Sequence, residues 1–428
     1  MFYSKKDEKE LTNKLFENPT SEYRGAPFWA WNTTLEKDEM MRQIDGFKKM
    51  GFGGFHMHAR VGLDSEYLGD RFMDMVRACI DKAKENGMRA YLYDEDRWPS
   101  GTAGGFVTKT KKFRRKIASF SKNLPDEIYE KNEALDKAKP YFLSAYDIKL
   151  DDGGYLESYK RIGKDDTAKN MKRYFYVFFT AEIEWFNNQS AVDSMDKEAM
   201  EKFFDITLPA YKNKVGDEFG KTVPSIFTDE PCSAPSWSGV DANLYTNFSL
   251  ENEGSEKNLF VSWSTHFEDE FKKMCGYDIL DRLPEFFYQN RDKNYKVRYD
   301  YFDVRSELFV SAFADRYKEK CDELGIAFTG HLMQEDGIGI QARATAETMR
   351  FYRSFTIPGI DLLGDRVKFQ TAKQAQSAKN QYGREGMMSE LYGVTSWDFD
   401  FRHHKFQGDW QAALGVTFRV PHLAFLSM

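Results

Sequence analysis

The chain is poor in cysteine, has no surplus of positive charge and contains no long apolar run. Its four cysteines, Cys79, Cys232, Cys275 and Cys321, are scattered over 428 residues without a CxxC pair, which argues against a disulfide framework. Lys and Arg number 61 against 68 Asp and Glu, a net charge of −7, so no basic excess is present to neutralise a phosphate backbone or an anionic bilayer. Nucleic acid and membrane are therefore not expected as partners. No segment approaches the roughly 18 to 20 apolar residues that cross a bilayer, and mean hydropathy is −0.65. The opening MFYSKKDEKE lacks the apolar stretch of a signal peptide, so the expected compartment is a reducing cytoplasm, with Cys79 and Cys321 buried as small apolar residues. No GxGxxG follows the first strand and no P-loop occurs, which disfavours a doubly wound nucleotide fold.

Aromatic residues, by contrast, reach 16%. They offer flat apolar faces with polar edges, suited to stacking on sugar rings or bases, and the negative charge favours sugars.

Strands and helices alternate early. Residues 26–32 (APFWAWN) read as a strand, Thr33 and Glu36 as a capping box, and Met41, Ile44, Phe47 and Met50 as a helical face. Residues 53–58 (GGFHMH) and 88–94 (MRAYLYD) read as strands two and three, with a helix between them. The rhythm resumes with a helix at 196–213 and strands at 222–230, 326–331, 358–363, 386–391 and 416–423. Eight strands with intervening helices predict an α/β fold, a (β/α)8 TIM-type barrel. Residues 113–189, with strings such as YFLSAYDIKL and RYFYVFFTAEIEWF, predict a β-rich inserted subdomain after strand 3, leaving 1–112 and 190–428 for the barrel. Residues 232–300 read as a long loop excursion. No helix follows strand eight, so the chain is expected to be the core of a longer polypeptide with an apolar flank at strands seven, eight and one, unless a helix at 6–16 covers it.

In such barrels chemistry gathers where strands end. The strand ends carry Trp31 and Asn32; His56 and His58; Asp94, Glu95, Asp96 and Arg97; Asp229 and Glu230; His331; Asp361; Glu390; and His422. Glu230 and Glu390 form the sharpest pair, because two carboxylates across a barrel mouth can act as acid and as base or nucleophile on a glycosidic bond. Pro231 and Tyr392 would restrict them, and salt bridges to Arg97 or Arg384 are the structural alternative. His56 and His58 share one strand face at metal-ligand spacing, so a metal-dependent hydrolase barrel is a rival reading. A non-catalytic carbohydrate-binding barrel is another. The loop 93–101 (YDEDRWPSG) places Trp98 among acids and reads as substrate-contacting, with Trp29, Trp31, Trp98 and Trp397 as stacking candidates. His403 and His404 are expected in solvent.

The strings PFWAWN, GFGGFHMHAR, YLYDEDRWPSGTAGG, IFTDEP, FTGHLMQED, MSELYGVTSWDF, DWQAALGV and VPHLAFLSM together resemble the catalytic barrel of glycoside hydrolase family 106, the α-L-rhamnosidases, and its uncharacterised bacterial relatives. The resemblance implies an inverting glycosidase with Glu230 as general acid and Glu390 as general base, an active-site calcium and appended β-sandwich domains. The expected partner is a carbohydrate, in a pocket built by Trp31, His56, His58, Asp94, Glu95, Arg97, Trp98, Asp229, His331 and Trp397.

Overall fold

The computed structural model describes residues 12–130, 132–234 and 259–428. Nine strands form one all-parallel sheet: β1 (Phe28–Trp31), β2 (Gly54–Ala59), β3 (Arg89–Tyr93), β8 (Ser225–Asp229), β10 (Ala327–His331), β11 (Ile357–Leu362), β12 (Met388–Leu391), β13 (Phe418–Pro421) and β14 (Ala424–Phe425). They pair in that order, and β14 returns to β1. The expected eighth strand is thus two: β13 pairs with β12, the strand is interrupted at His422 and Leu423, and β14 pairs with β1. One short segment so touches both edges, and the sheet is a nearly closed barrel.

Side chains alternate in and out with the period of two that a strand imposes. Phe28, Tyr91, Tyr93, Phe227, Met388 and Phe418 form one buried cluster, the barrel interior. Trp29, Trp31, Phe55, Met57, Leu92 and Ile226, from the intervening positions, join the helices in another. Helix Lys37–Lys49 contributes Met40, Ile44 and Phe47, and helix Asp70–Glu85 contributes Phe72, Met73, Val76, Cys79, Ile80 and Ala83. Each of the Met, Ile, Phe and Val side chains contributes about 2 kcal/mol by leaving water. The expected capping box of Thr33 and Glu36 is not formed, because the helix starts after Glu36 without a side-chain cap. Met50 lies beyond that helix and is exposed.

A second, antiparallel sheet contains β4 (Lys116–Ser121), β5 (Tyr141–Leu150), β6 (Leu156–Ile162), β7 (Met171–Phe179) and β9 (Leu259–Trp263) in the order β6-β5-β7-β4-β9. The last strand corrects the loop expected at 232–300. That stretch supplies β9 and the helices Phe267–Cys275 and Ile279–Phe287, and helix Lys296–Phe309 begins within it. Residues 235–258 and most of the helix expected at 6–16 lie outside the described residues. Cys79 and Cys321 are buried and no described cysteine is disulfide-bonded. Among the described residues, no helix is long and apolar enough to cross a membrane.

Candidate functional site

Strand register assembles the site. His331 pairs with Asp229 across β10 and β8, and Asp361 pairs with Glu390 across β11 and β12. Inward-facing residues at neighbouring strand ends therefore meet. Gly330, at φ 147°, makes that approach possible, since a Cβ there would come within 2.0 Å of the Thr228 carbonyl oxygen.

His331 is the hub. Its Nε2 donates to Asp229 Oδ1 at 2.9 Å and lies 3.6 Å from Glu390 Oε2. Tyr93 donates its hydroxyl to Asp229 Oδ2 at 2.6 Å. His422 Nε2 stands 3.8 Å from Glu390 Oε1. Donor atoms of Asp229, His331 and Glu390 fall within 4.8 Å of one another, and so do those of Glu230, His331 and Asp361. Glu230 follows β8 with a left-handed backbone, φ 48°, a conformation that costs about 1 kcal/mol or more in a non-glycine residue and tends to concentrate at functional sites.

The charges are interdependent. Burial opposes ionisation of Asp229, but the hydrogen bond and charge of His331 outweigh it and hold Asp229 below the ordinary carboxylate range. Burial likewise opposes a charge on His331, yet Asp229, Glu390 and Asp361 keep it well above the usual imidazole value. Burial and then the charges of Asp229 and Asp361 push Glu230 well up, and burial with Asp361, Asp229 and Glu230 does the same to Glu390. Asp361 is also raised, by burial foremost. One imidazolium cannot support four ionised carboxylates, so this group releases its protons in succession.

The other sequence candidates take different places. Trp31 is fully buried against Trp29 and Phe72 on the outer face of the strand, which corrects its assignment, and that of Trp29, to a sugar-stacking surface. His56 lies deep in the barrel, stacked on Tyr91, with Nδ1 bonded to the Ala26 carbonyl. His58 stacks on Tyr93 one layer higher, and its Nε2 accepts from Arg60 at 3.3 Å. A guanidinium occupying that nitrogen is incompatible with a metal held by the His56 and His58 pair. Burial drives both histidines down to about 3.

Asp94 and Glu95 are loop organisers. Ser100 donates to Asp94 Oδ1 at 2.6 Å and its oxygen accepts from the Asp229 amide at 2.8 Å. Glu95 accepts from five backbone amides, those of Asp96, Gly101, Thr102, Ala103 and Gly104. Arg97 turns to Asp96 and to the carbonyls of Glu184 and Trp185. Trp98 packs edge-on against Trp185, and Trp397 is 101% exposed. Among the described residues Glu230 and Glu390 have no Arg97 or Arg384 partner, because Arg384 donates to the Arg353 carbonyl. His403 is exposed on helix Phe401–Ala413, and His404 is half-buried beside Tyr392.

Four residues were not in the expected pocket: Tyr93, Asp361, His422 and Glu335. Glu335 is buried and accepts from the Asp361 amide at 2.7 Å and the Tyr352 hydroxyl at 2.6 Å. Asp361 and His422 were readable as strand ends. Glu335 stands in the FTGHLMQED string, in which nothing announces its contact with Asp361.

No protein-family model and no curated protein sequence matches the chain. Among solved structures it is similar to a rhamnosidase from Novosphingobium sp. PP1Y, with TM-score 0.64 and 13% identity over 98% of this chain and 57% of that one. It is also similar to a polyextremophilic beta-galactosidase from the Antarctic haloarchaeon Halorubrum lacusprofundi, with TM-score 0.47 and 10% identity over 94% of this chain and 52% of that one. The chain thus spans little more than half the length of either structure. The first similarity is one of fold.

Proposed function

We propose that the chain is a glycoside hydrolase barrel acting on a carbohydrate, with Glu230 and Glu390 as its acid and base. The observation that carries this reading is the coupled carboxyl group around His331 at the strand ends, where crowding obliges one acid to keep its proton while another ionises. The imidazolium 3.6 Å from Glu390 favours Glu390 as the carboxylate that takes a proton from water. Glu230, keeping its proton, protonates the departing glycosidic oxygen, and water's oxygen becomes bonded to the anomeric carbon as that bond breaks.

Inversion and an α-L-rhamnose substrate belong to this proposal through the family resemblance alone. Counted as one interrupted strand, β13 and β14 would make the barrel (β/α)8, and 113–189 its insertion. The donor set also suits a hard cation in being rich in carboxylate oxygen. Asp361, a carboxylate of this group without a part in the proton transfers, would be among the residues holding calcium, which would supply positive charge to the mouth. A purely sugar-binding barrel would need no such coupled acids.

The test is a screen of chromogenic α- and β-glycosides, rhamnosides first. Release of the chromophore that is lost in both Glu230→Gln and Glu390→Gln supports the reading. Sugar binding without cleavage of any glycoside would overturn it in favour of a binding barrel.

A further inference from the structure

Arg60 follows directly on β2, at the same end of the barrel as the carboxyl cluster. Its guanidinium carbon lies 4.5 Å above the centre of the Trp98 ring, and one nitrogen donates to His58 Nε2 at 3.3 Å. His58 accepts there because its Nδ1 faces the Ala59 carbonyl at 2.6 Å, so that pair is neutral on one side. Among the described residues no carboxylate lies within ion-pair distance of Arg60. Arg97, in the next loop, differs in having Asp96 at 3.5 Å. The charge of Arg60 is nonetheless felt at the mouth: after burial, it is the largest influence lowering both His58 and His422, and His422 borders Glu390.

We infer that Arg60, held against Trp98 and His58, is a subsite for the carboxylate of an acidic sugar, so that the substrate contains a hexuronic acid unit. This rests on the glycosidase reading. A guanidinium carries five N–H donors in a planar fork, and only one of them is engaged by His58. A planar carboxylate fits that fork in a bidentate manner. A single fork clamped by an indole and an imidazole matches the two coplanar oxygens of one carboxylate. Repulsion by the neighbouring acids is reduced, since the charge of Asp229 is matched by His331 and Glu230 keeps its proton.

The experiment compares matched pairs that differ at C6. Glucuronate and galacturonate, with glucose and galactose as neutral counterparts, are titrated calorimetrically into the parent protein, Arg60→Gln and Arg60→Lys. The 4-nitrophenyl glycosides of the same sugars, in both anomers, are assayed for kcat/KM. At least a tenfold preference for one uronate over its neutral counterpart is expected, collapsing at least tenfold in Arg60→Gln and less in Arg60→Lys, with unchanged circular dichroism. A parent that binds or cleaves neutral sugars as well as uronates, or an Arg60→Gln variant that keeps the preference, would overturn the subsite. If no glycoside, rhamnosides included, is cleaved but uronate binding still depends on Arg60, the subsite stands and the hydrolase reading fails. Hydrolysis confined to neutral glycosides has the opposite meaning.

Discussion

His331 and Asp229 form a buried ion pair, 2.9 Å from Nε2 to Oδ1, between directly paired residues of neighbouring strands. Each holds the other in its charged form against burial. In Asp229→Asn the imidazole loses its counter-charge, and burial then favours the neutral ring. His331 weighs more on Glu390 than Asp229 does, so losing the imidazolium raises Glu390 further. The expected outcome is an acid limb of the kcat/KM profile displaced to higher pH. Breaking such a pair should also cost about 3 kcal/mol, measurable by denaturant unfolding.

The carboxyl crowd makes a paired prediction about activity and stability. Glu230→Gln and Glu390→Gln should each lower kcat by about 10² to 10⁴. Neither should melt earlier than the parent, since a neutral amide relieves the repulsion that raises these acids. Leaving groups separate the roles: aryl glycosides of acidic phenols need little protonation, so they should recover activity in the Glu230 variant and not in the Glu390 variant. Equal recovery in both would overturn the assignment of acid and base.

Strand ends were legible because acids and histidines terminate otherwise apolar segments, and that pattern placed Asp229, Glu230, His331 and Glu390. Phase was not legible in β1. Its residues Phe28, Trp29, Ala30 and Trp31 are all buried, and a strand covered on both faces gives no alternation to tell inside from outside. Trp31 was therefore put on the wrong face. His56 and His58 were correctly put on one face, but spacing could not reveal that Tyr91 and Tyr93 stack on them or that Arg60 caps the second. Strand β9 was lost among Ser, Asn and charged neighbours. Glu335 reaches Asp361 across the loop and strand by folding alone, which no local motif encodes.

The buried histidines should set the acid side of the stability curve. His56 and His58 are lowered by burial to about 3, and His422 to about 4, whereas an unfolded histidine titrates near about 6.5. Between these values the unfolded chain binds more protons. Stability is thus fully present above about pH 6.5 and falls as pH drops toward 3, by up to about 1.4 kcal/mol per pH unit for each histidine. His56→Phe, whose ring suits the aromatic cluster of Phe28, Tyr91 and Phe418, should remove one histidine's share of that slope. Urea unfolding between pH 6.5 and 4 reads it, and an unchanged slope in the variant would count against a neutral His56.

Glu95 gives the last prediction, which joins loop architecture to chemistry. Its two oxygens receive all five amides, Oε1 from Asp96 and Gly104 at 2.9 and 2.5 Å, and Oε2 from Gly101, Thr102 and Ala103 at 3.0, 2.7 and 2.9 Å. Glu95→Gln replaces one acceptor by an NH2 group that faces amide donors, so the near-isosteric change is still disruptive. Each unsatisfied buried donor costs about 1 to 3 kcal/mol, and the loop is expected to open rather than bear all of them. Hydrogen exchange should then accelerate at 101–104, and unfolding should occur at least about 3 kcal/mol more easily. Opening also releases Ser100, whose oxygen holds the Asp229 amide, so kcat should fall although Glu95 touches none of the reacting groups. Exchange as slow as in the parent, with kcat unchanged, would show that this carboxylate does not hold the loop.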